Sequence, residues 1–258
     1  MLDVAAVANR LVLEIAPAAR KRFESFLGEG DALASWLGFL AALHDLGKAS
    51  PAFQFHPGLK KGDKKTIRER LKSAGLPLPR FPAPAVIRHG VIGAKVLPSL
   101  LAPRFGFSSD AADAYARIVG GHHGAFPTLY EIGALEIGED AVGSDEWDEA
   151  RRDLIDLIAG RFKIDSTTAP RVPRGPDAIA LAGLVSVADW IGSMREYFGF
   201  AVRDGAAVFP FRTGFPLVTP PPSVCPFPSL VSVFLSLSRS PVSVSMLRRG
   251  FEDLSDRK

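Results

Sequence analysis

A chain of 258 residues with 47% hydrophobic and 23% charged side chains can bury a sizeable core, which excludes a disordered or fibrous protein and leaves room for one large domain or two small ones. Its single cysteine, Cys225, rules out an intramolecular disulfide and a cysteine-rich zinc site, and fits a reducing, cytoplasmic compartment. The net charge of +3 is compatible with a polyanionic partner without demanding one, no signal peptide is legible, and no apolar run approaches the ~20 residues of a membrane span.

Residues 2 to 15 place Leu2, Val4, Ala5, Val7, Ala8, Leu11, Val12 and Ile15 in a helical stripe with no N-cap before it, so the chain is expected to start inside an element. Asp31 is the expected cap of a helix through Leu33, Trp36, Leu37, Leu40 and Leu43, apolar almost all round and therefore central. His44 and Asp45 fall at its C-terminal end, with Gly47 as the expected terminator. Ser50-Pro51 reads as N-cap and first residue of a short helix. From Gly58 to Pro84 the chain is first basic, with Lys60, Lys61, Lys64, Lys65, Arg68, Arg70 and Lys72, then proline-rich. It reads as an exposed excursion, for which a solvated surface is the ordinary reading and DNA tracking the alternative.

Arg88 to Leu97 is helical again, with His89 in its first turn. Ser108 or Ser109 caps a further helix that ends at Gly120-Gly121, and His122 and His123 follow directly. Ser144 caps a helix bearing Trp147, Leu154, Ile155, Leu157 and Ile158, with Gly160 after it. Pro176 starts a long helix through Ile179, Leu181, Leu184, Val185, Val187 and Ile191. Strand-like alternation is scarce up to Phe200, so the class is all-α. After Phe200 the character changes: no charge occurs from Thr213 to Ser238, and Pro220-Pro221-Pro222 leads into serine alternating with valine and leucine. The expected organisation is a folded domain over residues 1–200 and a low-complexity tail over 201–258, either disordered or the product of a shifted reading frame.

Four of the five histidines, His44, His89, His122 and His123, adjoin expected helix ends. One histidine in such a place usually caps carbonyls, but the set supplies four imidazoles together with the Asp45 carboxylate, which can bridge two cations. Nitrogen and oxygen ligands without thiolates suit iron, manganese, nickel, cobalt or zinc. Asp189 stands among Val185, Val187, Ala188, Trp190 and Ile191, where an ionised carboxylate is costly unless a cation or strong donors meet it. An exposed helix face is the plainer alternative. His56 belongs to no such group and reads as structural.

Leu43-His44-Asp45-Leu46-Gly47-Lys48, Arg88-His89-Gly90, Gly121-His122-His123-Gly124 and Ala188-Asp189-Trp190-Ile191-Gly192-Ser193, in this order, resemble the motifs of the HD-type metal-dependent phosphohydrolases. The lysine after the HD pair and the A-D-W-x-x-S ending are similar in particular to the nuclease domain of the CRISPR-associated type I helicase-nuclease effector, over roughly residues 2 to 200. That resemblance implies an HD-domain helical bundle with a di-metal site that cuts single-stranded DNA in antiviral defence. It implies two divalent transition-metal ions, iron, manganese, nickel or cobalt in preference to magnesium. Asp45 would bridge them, His44 and Asp189 would hold the first, His89, His122 and His123 the second, and Lys48 would face the scissile phosphate, so that Asp45 and Lys48 are the catalytic pair. The implied partners are single-stranded DNA, a helicase subunit and an RNA-guided surveillance complex acting in trans, with no membrane.

Three departures from that family shape the remaining expectations. The family's first helix begins with a further ligand histidine, which would fall just upstream of Met1, so the expected first metal site is incomplete and activity impaired. No G-x-x-x-x-G-K-[ST] phosphate loop is present, and the tail after Phe200 has no counterpart. A phosphohydrolase acting on nucleotides and a catalytically dead remnant are the alternatives.

Overall fold

The computed structural model describes residues 1–79, 86–135, 139–164, 167, 169–194 and 198. The reading of 201–258 as a tail lies outside them, as do residues 80–84 of the basic, proline-rich excursion. Met1–Gly192 forms one compact unit. Its described residues are built from helices, with no strand among them. No single described helix is long and apolar enough to cross a membrane.

The stripe over residues 2 to 15 forms α1 (Leu2–Arg10), which buries Val4, Ala5 and Ala8 and loosens into one π turn over Leu11–Ile15. Pro17, at the first position of α2 (Pro17–Leu27), supplies the fixed φ that starts a helix. The central helix is α3 (Asp31–Ala42): from Trp36 to Ala42 every residue is buried, as a helix without a polar face requires. Its N-cap is Gly30, at φ 59°, rather than Asp31. Asp31 instead occupies the first helical turn, where its carboxylate meets the positive end of the helix dipole.

Beyond Ala42 the helix tightens to a 3-10 turn, Leu43–Lys48, which carries the HD pair. The expected terminator, Gly47, lies inside this turn. Ser50 caps α4 (Pro51–Gln54) by accepting from the Phe53 amide at 3.4 Å, with Pro51 at the first helical position as expected. The basic excursion contains a further helix, α5 (Lys61–Ser73), which buries none of its residues. The Arg68 guanidinium lies over the Phe55 ring, 4.6 Å from its centroid, and ties α5 to its neighbour.

Two helices complete the scaffold under the site: α6 (His89–Phe105) and α7 (Ser109–Gly120), joined through Gly106 in the left-handed conformation. They run antiparallel, because Gly90 at the start of α6 touches Gly120 at the end of α7. Helix α6 runs past Leu97 in spite of Pro98 and Pro103, with Leu100, Leu101 and Phe105 buried beyond the first proline. Each proline removes an amide donor, and that apolar burial offsets the loss. Ser108 caps α7 by accepting from the Ala111 amide. After the short α8 (Leu129–Ala134) and α9 (Glu139–Val142), α10 (Asp145–Phe162) packs Trp147, Ile155 and Ile158 inward, and it runs past Gly160 to end at Lys163, φ 51°. Finally α11 (Gly175–Gly192) packs against α1 and α7.

Candidate metal centre

Two of the site's histidines are aimed by the helix ends on which they sit. His44 Nδ1 lies 2.8 Å from the Ala41 carbonyl, and His122 Nδ1 lies 2.7 Å from the Val119 carbonyl. Both carbonyls belong to residues three positions earlier, in the last turn of the helix that precedes each histidine. The contact keeps a proton on Nδ1 of each ring, so that Nε2 is the atom each presents to the site.

The structure brings His44, Asp45, His89, His122, His123 and Asp189 together, from four separate stretches of chain. Asp45 Oδ1 stands 3.2 Å from His89 Nε2, and Asp45 Oδ2 stands 3.2 Å from His44 Nε2. His44 Nε2 also faces Asp189 Oδ1 at 3.3 Å. His89 Nε2 lies 3.2 Å from His122 Nε2 and 3.2 Å from His123 Nε2, so three imidazoles point at one another. The ligand atoms of these three all fall within 4.8 Å of each other. Lys48 Nζ donates to Asp45 Oδ2 at 2.8 Å.

The donor set suits divalent cations. Three Nε2 atoms converge, and His122 can offer only a lone pair, so the nest is repulsive unless a proton or a metal ion stands inside it. His44 Nε2 is buried and makes no hydrogen bond, although two carboxylate oxygens lie within 3.3 Å. An orphaned buried nitrogen beside two carboxylates is the mark of a missing positive partner.

Electrostatics divide the centre in two. Burial lowers the pKa of His44, but Asp189 and Asp45 more than reverse this and lift it to about 9. Burial also opposes ionisation of Asp45, yet His44, His89 and Lys48 hold its carboxyl far below the usual carboxylate range. The same contest at Asp189 is decided by His44, which brings it down to about 2. On the other side, burial and the neighbouring imidazoles push His122 down to about 3 and lower His123. Without metal, the His44 side is therefore a cation held between two carboxylates, and His122 and His123 are neutral imidazoles.

The close approach of these elements rests on glycines. A Cβ at Gly47 would lie 1.9 Å from the His89 carbonyl oxygen, and one at Gly90 would lie 2.2 Å from that of Gly120. Only hydrogen at these positions lets the 3-10 turn sit on α6, and α6 on α7. Gly192 in turn lies against Val4, so the start of α1 borders the end of α11, three residues beyond Asp189.

Further residues serve the site that its motifs do not name. Ser186, three residues before Asp189 on α11, donates to the His122 carbonyl and so ties the double histidine to the helix of the distal aspartate. Arg88 donates to the Ala125 carbonyl at 3.1 Å and pairs with Glu131, bracing the loop after His123. Phe53 sets its ring edge-on to His89 at 5.6 Å. His56, outside the cluster, lines a small cavity of about 210 Å³ that His89 also lines. Asp189 is neither fully buried nor an open surface carboxylate: its side chain is 24% exposed and faces His44. The large hydrophobic residues of α11 that are exposed are Ile179 and Trp190.

The family model "Cas3, HD domain" matches residues 1–198. The chain belongs to the Cas3 HD-domain family. It is 34% identical over 206 residues to the CRISPR-associated endonuclease/helicase Cas3 of Thermus thermophilus, covering 78% of this chain and 21% of that protein. Among solved structures, a CRISPR-associated protein matches with TM-score 0.69 and 43% identity over 78% of this chain and 21% of its own. A chain of a CRISPR RNA-guided surveillance complex, pre-nicking, matches with TM-score 0.56 and 26% identity, over 76% and 22% of the two chains. The HD domain of Thermus thermophilus Cas3, solved in the presence of Ni2+, shares the fold, with TM-score 0.56 and 24% identity over 92% of this chain and 79% of its own. The chain thus spans about a fifth of the length of the curated relatives it matches.

Proposed function

We propose that this centre holds two divalent transition-metal ions and hydrolyses the phosphodiester bonds of single-stranded DNA in CRISPR antiviral defence. The observation that carries the reading is the division of Asp45: Oδ1 faces the three-imidazole nest and Oδ2 faces His44. A carboxylate so placed can belong to two cations at once. His44 and Asp189 would hold one ion, with a coordination position left for water, and His89, His122 and His123 the other. Iron, manganese, nickel or cobalt fit nitrogen-rich ligands better than magnesium does.

When bound, such a pair of ions lowers the pKa of a water nucleophile and stabilises the charge developing on the phosphate. The protein's own residues do the rest. His44 and His122 keep their lone pairs aimed through the helix-end carbonyls of Ala41 and Val119. Lys48, 40% exposed, carries a compact positive charge at the rim of the site, where a phosphate oxygen can reach it. The lysines of α5 offer a track for the DNA backbone. A helicase subunit and an RNA-guided surveillance complex are the partners of this reading, and the cytoplasm its setting.

The test offers the metal-loaded chain single-stranded DNA, duplex DNA and a panel of nucleotides and cyclic nucleotides. The reading expects manganese-, cobalt- or nickel-dependent cutting of single-stranded DNA that chelation stops. Hydrolysis of the nucleotide panel with the DNA left intact would replace it with a nucleotide phosphohydrolase.

A further inference from the structure

Three consecutive backbone carbonyls just after the HD pair are each claimed by a side chain. The Gly47 carbonyl accepts from Ser50 Oγ at 2.7 Å, the Lys48 carbonyl from Gln54 Nε2 at 2.9 Å, and the Ala49 carbonyl from Arg151 Nη1 at 2.6 Å. Irregular backbone leaving a helix ordinarily gives such acceptors to water. Here the last of them reaches a residue 102 positions away, in the middle of α10.

Arg151 is fully buried. Its guanidinium also donates to the Val142 carbonyl at 2.9 Å and pairs with Asp148, while its Nε is buried without a partner. A buried charge with an unsatisfied donor is a poor way to stabilise a core, where an apolar side chain of similar volume does as well or better. What the guanidinium does, and an apolar side chain cannot, is fix the exit of the segment that carries Asp45 and Lys48. The end of that segment is held from a second side as well. Gln54 holds the Lys48 carbonyl itself, and its neighbour Phe53 lies under the Lys48 ammonium, 5.6 Å from the ring centroid. A lysine side chain is rich in rotamers, and a pinned backbone with an aromatic face beneath it narrows where its ammonium can go.

We infer that Gln54 and Arg151 are positioning residues for Lys48: by locking the carbonyls of Lys48 and Ala49 they keep its ammonium at the 2.8 Å contact with Asp45 Oδ2. The inference rests on the nuclease reading for its consequence in rate, and on the Lys48–Asp45 contact alone for its consequence in metal binding.

The test is a double-mutant cycle. Gln54→Ala and Arg151→Lys are each made with Lys48 present and in the Lys48→Ala background, and all variants are checked by urea melts. Two quantities are read: the cleavage rate on single-stranded DNA at saturating Mn2+ and DNA, and Mn2+ affinity by calorimetry. Residues that act through Lys48 are non-additive with it, so each change should slow cleavage by roughly fivefold or more with Lys48 present and by less than about twofold without it. Lys48→Ala should raise Mn2+ affinity, since it removes the ammonium that competes for Asp45. Gln54→Ala should raise it by roughly twofold or more when Lys48 is present and leave it unchanged when Lys48 is absent. Equal effects in both backgrounds would make Gln54 and Arg151 structural and overturn the inference. If Arg151→Lys does not fold, the Gln54 cycle decides. A wild-type chain that binds Mn2+ but cuts no DNA would defeat the nuclease reading, and the affinity cycle would still decide on the clamp.

Discussion

At Asp45 the two carboxylate oxygens answer to different neighbours, and the chemistry of the centre follows from that residue outward. Asp45→Ala should abolish cleavage and weaken both ions, whereas Asp189→Ala should weaken chiefly the ion on the His44 side; metal content per chain after dialysis separates the two. His44 gives the site its pH dependence. Its pKa in the metal-free fold, about 9, lies above the ordinary 6.5, so it contributes stability that is fully present below pH 6.5 and lost as pH rises through 9. The urea midpoint of the chelated protein should therefore fall between pH 6.5 and 9, and His44→Gln should flatten that fall. An ion on the His44 side must displace the same proton, so Mn2+ affinity at that site should climb by up to about tenfold per unit of pH between 6.5 and 8, with release of about one proton. An affinity independent of pH would mean that His44 is not a ligand. The six polar residues were visible in the sequence because histidine and aspartate stood out at helix ends and within an apolar helix. Ser186, Phe53 and Arg151 were not, because serine in a helix, phenylalanine after a proline and arginine among other charges have ordinary structural readings, and only distance shows what they touch.

Among the elements, the close packing of the 3-10 turn, α6 and α7 decides whether the motifs meet at all. Gly90→Ala would drive a methyl group to 2.2 Å from the Gly120 carbonyl oxygen, backbone against backbone, with no flexible side chain to yield. Overpacking of this kind destabilises by about 1–3 kcal/mol or more, and here it should also separate His89 from His122. Urea unfolding and metal content should drop together in this variant, while Gly133→Ala, where an added methyl meets nothing, should leave both alone. Apolar periodicity made α3, α7, α10 and α11 legible in the sequence. Helix α5 was not, since nothing in it is buried and a helix without an apolar stripe leaves no pattern. The course of α6 beyond Pro98 was hidden by a local rule that tertiary burial overrode. Gly47 was read as a terminator for the same reason: its role is a contact with His89, 42 residues away, which no local rule contains.

For the molecule as a whole, the distribution of charge governs what it meets. The net charge of +3 is modest, but Lys60, Lys61, Lys64, Lys65 and Lys72 are gathered on or beside α5. If they follow a DNA backbone, changing four of them to glutamine should flatten the slope of log affinity against log salt by up to about 3, near 0.7 per contact for a single strand. An unchanged slope would leave α5 as a solvated surface. The all-α class was legible from the scarcity of alternation, and the family from four motifs in order, whereas the helicase and the surveillance complex are properties of relatives about five times as long as the matched segment. The central claim, two ions sharing Asp45, is tested most directly by anomalous diffraction from crystals of the chain grown with Mn2+. The account expects two anomalous peaks flanking Asp45, one at about 2.0–2.2 Å from Nε2 of His89, His122 and His123, the other at the same distance from His44 Nε2 and an Asp189 oxygen. A single peak away from Asp45, or none at millimolar Mn2+, would contradict it.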